Sequence, residues 1–147
     1  MAALQRFGAL ALELPFMDHA CRDFLGLLAR VDASDDARLR TAWDELVAFT
    51  DERFAREDVW MRTTGFSSGK EHMVQHRVVL EVMREGALRA ARGDVAHVRE
   101  MARQLRDWHQ KHVQSMDAAL ALHLRGMRFA PANAGRLSPA CRPAGAG

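Results

Sequence analysis

"HMVQHRVVLEVMREGA" (residues 72–87) puts His72, His76, Val79/Leu80, Met83 and Ala87 on one stripe, the pattern of a helix with an inward face. Two imidazoles four residues apart project from the same side and can reach a common ion. The pair alone is a weak signal, because helix surfaces carry HxxxH by chance. Its meaning depends on what the rest of the chain sets opposite it.

Outward from this stretch, the punctuation divides the chain into four helical segments. No proline interrupts between Pro15 and Pro131, and glycines fall at Gly65/Gly69, Gly93 and Gly126. The first segment, about 17–31, aligns Cys21, Phe24, Leu25, Leu28 and Val31. "DASDD" (32–36) supplies a turn and an N-cap. The second, about 36–63, turns Leu39, Trp43, Leu46/Val47, Thr50, Arg53/Phe54, Glu57 and Trp60/Met61 inward, and "TTGFSSG" closes it. The third runs from about 69 to 91. The fourth, about 94–125, aligns Val98, Met101, Leu105, Trp108, His112, Met116 and Leu120. Four long helices with short connections predict an all-α, up-down-up-down four-helix bundle over 16–126. Residues 1–15 read as an arm that packs on it. Residues 127–147, rich in Gly, Pro and Ala, read as a disordered tail.

Composition narrows the class. The 147 residues suffice for one core, and 48% hydrophobic with 27% charged residues is ordinary for a globular domain. A net charge of +2, without a Lys/Arg run, argues against nucleic acid. No stretch of about 18 apolar residues is present to span a membrane. The first twenty residues carry Glu13 and no basic cluster, unlike a signal peptide. Cys21 and Cys141 lie far apart in unlike surroundings, so reduced thiols in the cytoplasm are expected.

Every helix carries a polar residue inward: Cys21; Arg53 and Glu57; His72 and His76; His112 with Asp117. A bundle core excludes such groups unless they are paired or bound to metal. Three imidazoles and two carboxylates on separate helices form a donor set suited to iron, manganese or zinc. His112 and Asp117 are five residues apart, about 140° on a regular helix. A π-bulge between them would bring both inward, and such bulges concentrate at functional sites.

These elements resemble the hemerythrin-like family over about residues 14–124. Its bacterial members carry MDxxH, HxxxE, HxxxH and HxxxxD on successive helices. Here "HMVQH" (72–76) and "HVQSMD" (112–117) match fully, and the step from Glu57 to His72 fits. "MDHAC" (17–21) has Cys21 in a histidine position, and "RFARE" (53–57) has Arg53 in another while keeping Glu57. The resemblance implies one iron on His72, His76 and His112, with Glu57 and Asp117 as bridges. The second iron's own ligands are lost at Cys21 and Arg53. Arg53 can supply a permanent cation to the two carboxylates and repel a second ion, so one metal is expected, iron first, with zinc or manganese as alternatives. Reversible dioxygen carriage, as the family implies it, draws one electron from each of two irons. A one-metal site points instead to binding or sensing of metal, redox state, dioxygen or another small diatomic ligand, and no reaction is assigned.

Other readings of the same residues stay open. His19, His109 or Cys21 could rescue a second iron and with it reversible oxygen binding. The bundle could equally be a metal-free interaction module, with Arg53 neutralising Glu57 and Asp117. Arg53–Glu57 could be a surface i, i+4 pair, with Phe54 taking the inward direction. Cys21 could be a small buried hydrophobe, a thiolate ligand or a redox-sensitive thiol. His19 lies about 200° around the helix from Cys21 and is expected outside; His97 and His123 are expected on the surface. The three tryptophans and the methionines read as core filling.

Overall fold

The computed structural model describes residues 11–131. Four helical rods pack side by side: α1 (Pro15–Ala33), α2 (Asp36–Thr63), α3 (Gly69–Ala91), and a fourth made of α4 (Val95–His112) and α5 (Ala118–Gly126), joined through a π-helical turn at Val113–Asp117. No strand occurs among the described residues. The architecture is the expected all-α four-helix bundle, and the helix boundaries fall close to those the glycines and caps predict.

Local chemistry sets those boundaries. Pro15 opens α1, where a missing N–H costs nothing. The Asp35 carboxylate accepts from Arg38 N at 3.0 Å to cap α2, and Asp94 accepts from His97 N at 3.4 Å at the start of α4. Gly65 (φ 63°) and Gly93 (φ 81°) take the left-handed conformation that ends α2 and α3.

The interior comprises two apolar clusters with a polar layer between them. Phe24, Leu28, Leu39, Trp43, Leu46, Met83, Val98 and Leu105 fill one end. Leu12, Leu14, Met17, Trp60, Met61, Leu120 and Leu124 fill the other. The arm thus contributes Leu12 and Leu14 to the core, and Leu12 N donates to Asp18 at 2.7 Å. Residues 1–10 and 132–147, which hold most of the expected arm and tail, lie outside the described residues. Within 127–131, Phe129 packs on Trp60 and Phe16 and so belongs to the bundle's packing.

The inward stripes depart from the sequence reading in α3 and in the fourth rod. The α3 stripe ends on Gly86, with Ala87 only half-buried. A Cβ at Gly86 would meet Met101 Sδ at 2.5 Å and Trp43 Cζ2 at 2.9 Å, so the missing side chain is what lets the helices approach. Met116 is half-buried rather than on the inward stripe, because the π turn advances the register and gives that place to Asp117.

Candidate metal centre

The polar layer holds Thr50, Arg53, Glu57, His72, His76, His109, His112 and Asp117, all buried. Five of them, Glu57, His72, His76, His112 and Asp117, each offer a ligand atom, and these atoms lie within 4.8 Å of one another. The π turn explains how a pair five residues apart takes part. Both His112 Nε2 and His72 Nε2 stand 3.1 Å from Asp117 Oδ1. On the α2 side, Glu57 Oε1 lies 3.3 Å from His76 Nε2 and 3.5 Å from His72 Nε2.

Ring orientation comes from packing and from acceptors behind the rings. Phe54 stacks on His76 at 3.9 Å and 7°, and Trp108 stacks on His112 at 4.5 Å and 20°. Phe54 and Arg53 are therefore both inward, and they serve different neighbours. His76 Nδ1 donates to Asp58 Oδ1 at 2.7 Å and His112 Nδ1 to Gln75 Oε1 at 3.0 Å, which leaves each Nε2 lone pair facing the cluster. Asp58 and Gln75 are absent from the sequence reading. The available signal was adjacency: each directly neighbours an inward ligand position, where an imidazole's second nitrogen needs an acceptor.

Arg53 fills the remaining space. Its Nη1 donates to His109 Nε2 at 2.8 Å, and its Nη2 lies 3.3 Å from both Cys21 Sγ and Asp117 Oδ2. Its Nε lies 3.5 Å from Glu57 Oε2. The guanidinium is thus surrounded by Cys21, His109 and the two carboxylates, with its side chain 2% exposed. A surface ion pair is excluded by that burial. His109 Nε2 and Cys21 Sγ are both engaged by Arg53 and turned to it. His19 is not brought to the cluster: it is 70% exposed and pairs with Asp23 one turn on at 3.6 Å, as its angular offset from Cys21 requires. His123, expected on the surface, is half-buried and shares a 3.0 Å hydrogen bond with Thr64.

The electrostatics follow from this packing. Burial works against the Arg53 charge, but Glu57 and Asp117 outweigh it and raise its pKa above the usual value. Burial and the Asp117 charge push Glu57 up; the His72 and His76 imidazoles and Arg53 more than reverse this and hold it below the carboxylate range. Asp117 is held lower still: His112, His72 and Arg53 overcome its burial. Burial opposes a proton on His72, yet Asp117 and Glu57 raise it to about 9. Burial and the Arg53 charge push His109 down to about 3, so it stays neutral. Burial lifts the Cys21 thiol to about 12 despite Arg53, which makes it a protonated, unreactive group.

The donors fit a bound ion. Glu57 Oε1, His76 Nε2 and Asp117 Oδ1 are buried without a hydrogen-bond partner, and they converge on the same space. His72 Nε2 and His112 Nε2 face each other at 3.1 Å, where at most one can carry a proton. One cation would satisfy all five donors. The place beyond, between the carboxylates and Cys21, is taken by the guanidinium. A cleft of about 640 Å³ opens from solvent between α1 and α2, with Phe16, Phe49 and Trp60 on its walls and Arg53 and Glu57 in its lining.

A four-helix bundle with a buried histidine–carboxylate cluster drawn from three of its rods defines a class of non-haem metal-binding proteins. Bacteriohemerythrin of Ralstonia nicotianae is 35% identical over 101 residues, which span 69% of this chain and 74% of that protein. This chain belongs to the hemerythrin-like family. No protein-family model matches it, and no solved structure does. Among the described residues no helix is long and apolar enough to cross a membrane.

Proposed function

We propose that this chain is a mononuclear member of its family, holding one iron ion on His72, His76, His112, Glu57 and Asp117, with Arg53 in the place of a second. The single observation that supports this is the position of the Arg53 guanidinium, 3.3 Å from Asp117, 3.5 Å from Glu57 and 3.3 Å from Cys21, with both carboxylates deeply buried. Two buried carboxylates need more than one positive charge nearby. Arg53 supplies one charge permanently, and a bound ion would supply the remainder.

When bound, the ion supplies Lewis acidity and one-electron redox chemistry. The protein's residues do the remainder. Asp58 and Gln75 fix the tautomers of His76 and His112. Glu57 and Asp117 each turn one oxygen to the cluster and the other to Arg53, so both carboxylates would be shared between the guanidinium and a bound ion. Phe54 and Trp108 shield the imidazoles. Two-iron oxygen carriage draws two electrons, and this arrangement offers one. The role is binding or sensing of metal, redox state or a small diatomic ligand, in a protein placed in the cytoplasm, rather than reversible oxygen transport.

Metal analysis of the wild type beside a Cys21→His/Arg53→His variant tests the reading. About one iron per chain in the wild type and about two in the variant are expected. Two irons in the wild type would restore the oxygen-carrier reading. None in the wild type would make the chain a metal-free helical module.

A further inference from the structure

The three imidazoles of the cluster differ on the side away from it. Behind His76 stands the Asp58 carboxylate, behind His112 the neutral Gln75 amide, and His72 Nδ1 is buried without a partner. The rings of His76 and His112 are each already held by an aromatic face, Phe54 or Trp108. Orientation is therefore supplied in both cases, and what sets His76 apart is the charge behind it. Asp58 makes no ion pair with Lys or Arg among the described residues; Arg84, which lines the same small surface pocket, pairs with Asp51 at 3.3 Å instead. The Asp58 side chain is only 24% exposed, so its charge is partly shielded from water and acts on the imidazole at 2.7 Å.

We propose that Asp58 is a positioning residue that, through its charge, makes His76 the strongest donor of the cluster, tightening metal binding and lowering the reduction potential of bound iron. A carboxylate accepting from the outer N–H of a ligating imidazole raises that ligand's basicity, and such partners alter metal affinity by roughly 10- to 100-fold when removed. Glu57 and Asp117 face Arg53 and the cluster, and Asp58 adds a third negative charge behind His76, a balance that would close with Arg53 and a divalent cation. Gln75 is the internal control: the same hydrogen bond and the same aromatic support, without the charge.

The inference rests on the metal-binding reading above, and its test separates the two. Zinc affinity is measured by competition for the full-length wild type, Asp58→Asn, Asp58→Ala and the double variant Asp58→Asn/Gln75→Glu, with helical circular dichroism as the folding check. Reduction potentials are measured on the iron-loaded proteins. Asn keeps the acceptor and removes the charge, so Asp58→Asn is expected to bind zinc about 10-fold more weakly and to show a more positive potential. Asp58→Ala should add little further loss, and the double variant, with a carboxylate moved behind His112, should recover most of the affinity. Wild-type affinity and potential in Asp58→Asn, with loss confined to Asp58→Ala, would overturn the charge role. Absence of zinc binding by the wild type would instead overturn the metal reading beneath it.

Discussion

Arg53 and Asp117, 64 residues apart in sequence, meet at 3.3 Å in the interior with side chains 2% and 0% exposed. Removing the cation from such a pair strands a buried anion, which costs about 3–5 kcal/mol. An Arg53→Met variant is therefore expected to lose stability of that order in urea denaturation with chelator present. Added zinc should recover more stability in the variant than in the wild type, since both carboxylates then rely on the ion alone. Equal stability of the two proteins in chelator would show that Arg53 does not compensate the cluster.

Loading the site should expel protons. His72 is raised to about 9 in the ion-free protein, so it is protonated at neutral pH and must give that proton up to ligate. Calorimetric titration with zinc in buffers of different ionisation enthalpy should show proton release at pH 7 that fades as pH rises through about 9. Release that does not change with pH would count against His72 as a ligand.

His109 gives the opposite sign. Its folded value of about 3 lies below the unfolded value of about 6.5, so its contribution is fully present above pH 6.5 and is lost as pH falls from there toward 3. Between pH 7 and pH 5 the loss amounts to about 2 kcal/mol. A His109→Gln variant keeps an acceptor for Arg53 Nη1 and cannot titrate. Its stability should fall less than that of the wild type over this interval, measured by urea unfolding in chelator. Parallel pH profiles would refute the assignment.

At Gly86 the packing leaves no room for a methyl group. Gly86→Ala gains about 1 kcal/mol of helix propensity, but it forces Met101 and Trp43 to move, and Trp43 is tied by its Nε1 donating to Met83 O at 2.9 Å. Overpacking of this kind costs about 1–3 kcal/mol, so a net fall of a few degrees in Tm is expected, with metal stoichiometry unchanged. A higher Tm would show that the helices can part at no cost.

Much of this protein is legible in its sequence because its signals are local. Caps at Asp35 and Asp94, glycine at 65 and 93, and stripes such as Phe24–Leu28–Val31 each depend on near neighbours, so the helices fall where those residues put them. Glu57, His72, His76, His112 and Asp117 are legible for a related reason: polar residues on inward stripes have few places to go. The spacing of His112 and Asp117 even implies the wider turn that the structure contains. Less legible is what depends on helices meeting. Asp58 and Gln75 look like ordinary surface residues until a ring from another rod turns its back on them. His109 reads as a spare ligand until Arg53 from α2 claims its Nε2. Gly86 and Ala87 are adjacent, and only the approach of Trp43 and Met101 decides which of them is inward.

The turn at Val113–Asp117 joins two half-rods keyed to different partners. Ahead of it, Val98, Met101 and Leu105 face the Phe24–Trp43 end; beyond it, Leu120 and Leu124 face the Trp60–Met61 end. It works as a phase splice, in the way a spacer sets one gear a fraction of a tooth ahead of the next. Deleting a single residue within 113–116 would leave His112 and Asp117 four residues apart, about 40° on a regular helix, so the turn would close into α-helix with both side chains still on one face. Forcing the full segment into regular α-helix with no residue removed would instead turn everything downstream by about 100°, swinging Asp117 out of the cluster and carrying Leu120 and Leu124 toward water. The wide turn, rather than the residue count, is therefore what keeps the two halves of this rod in phase, for the chemistry and for the oil alike.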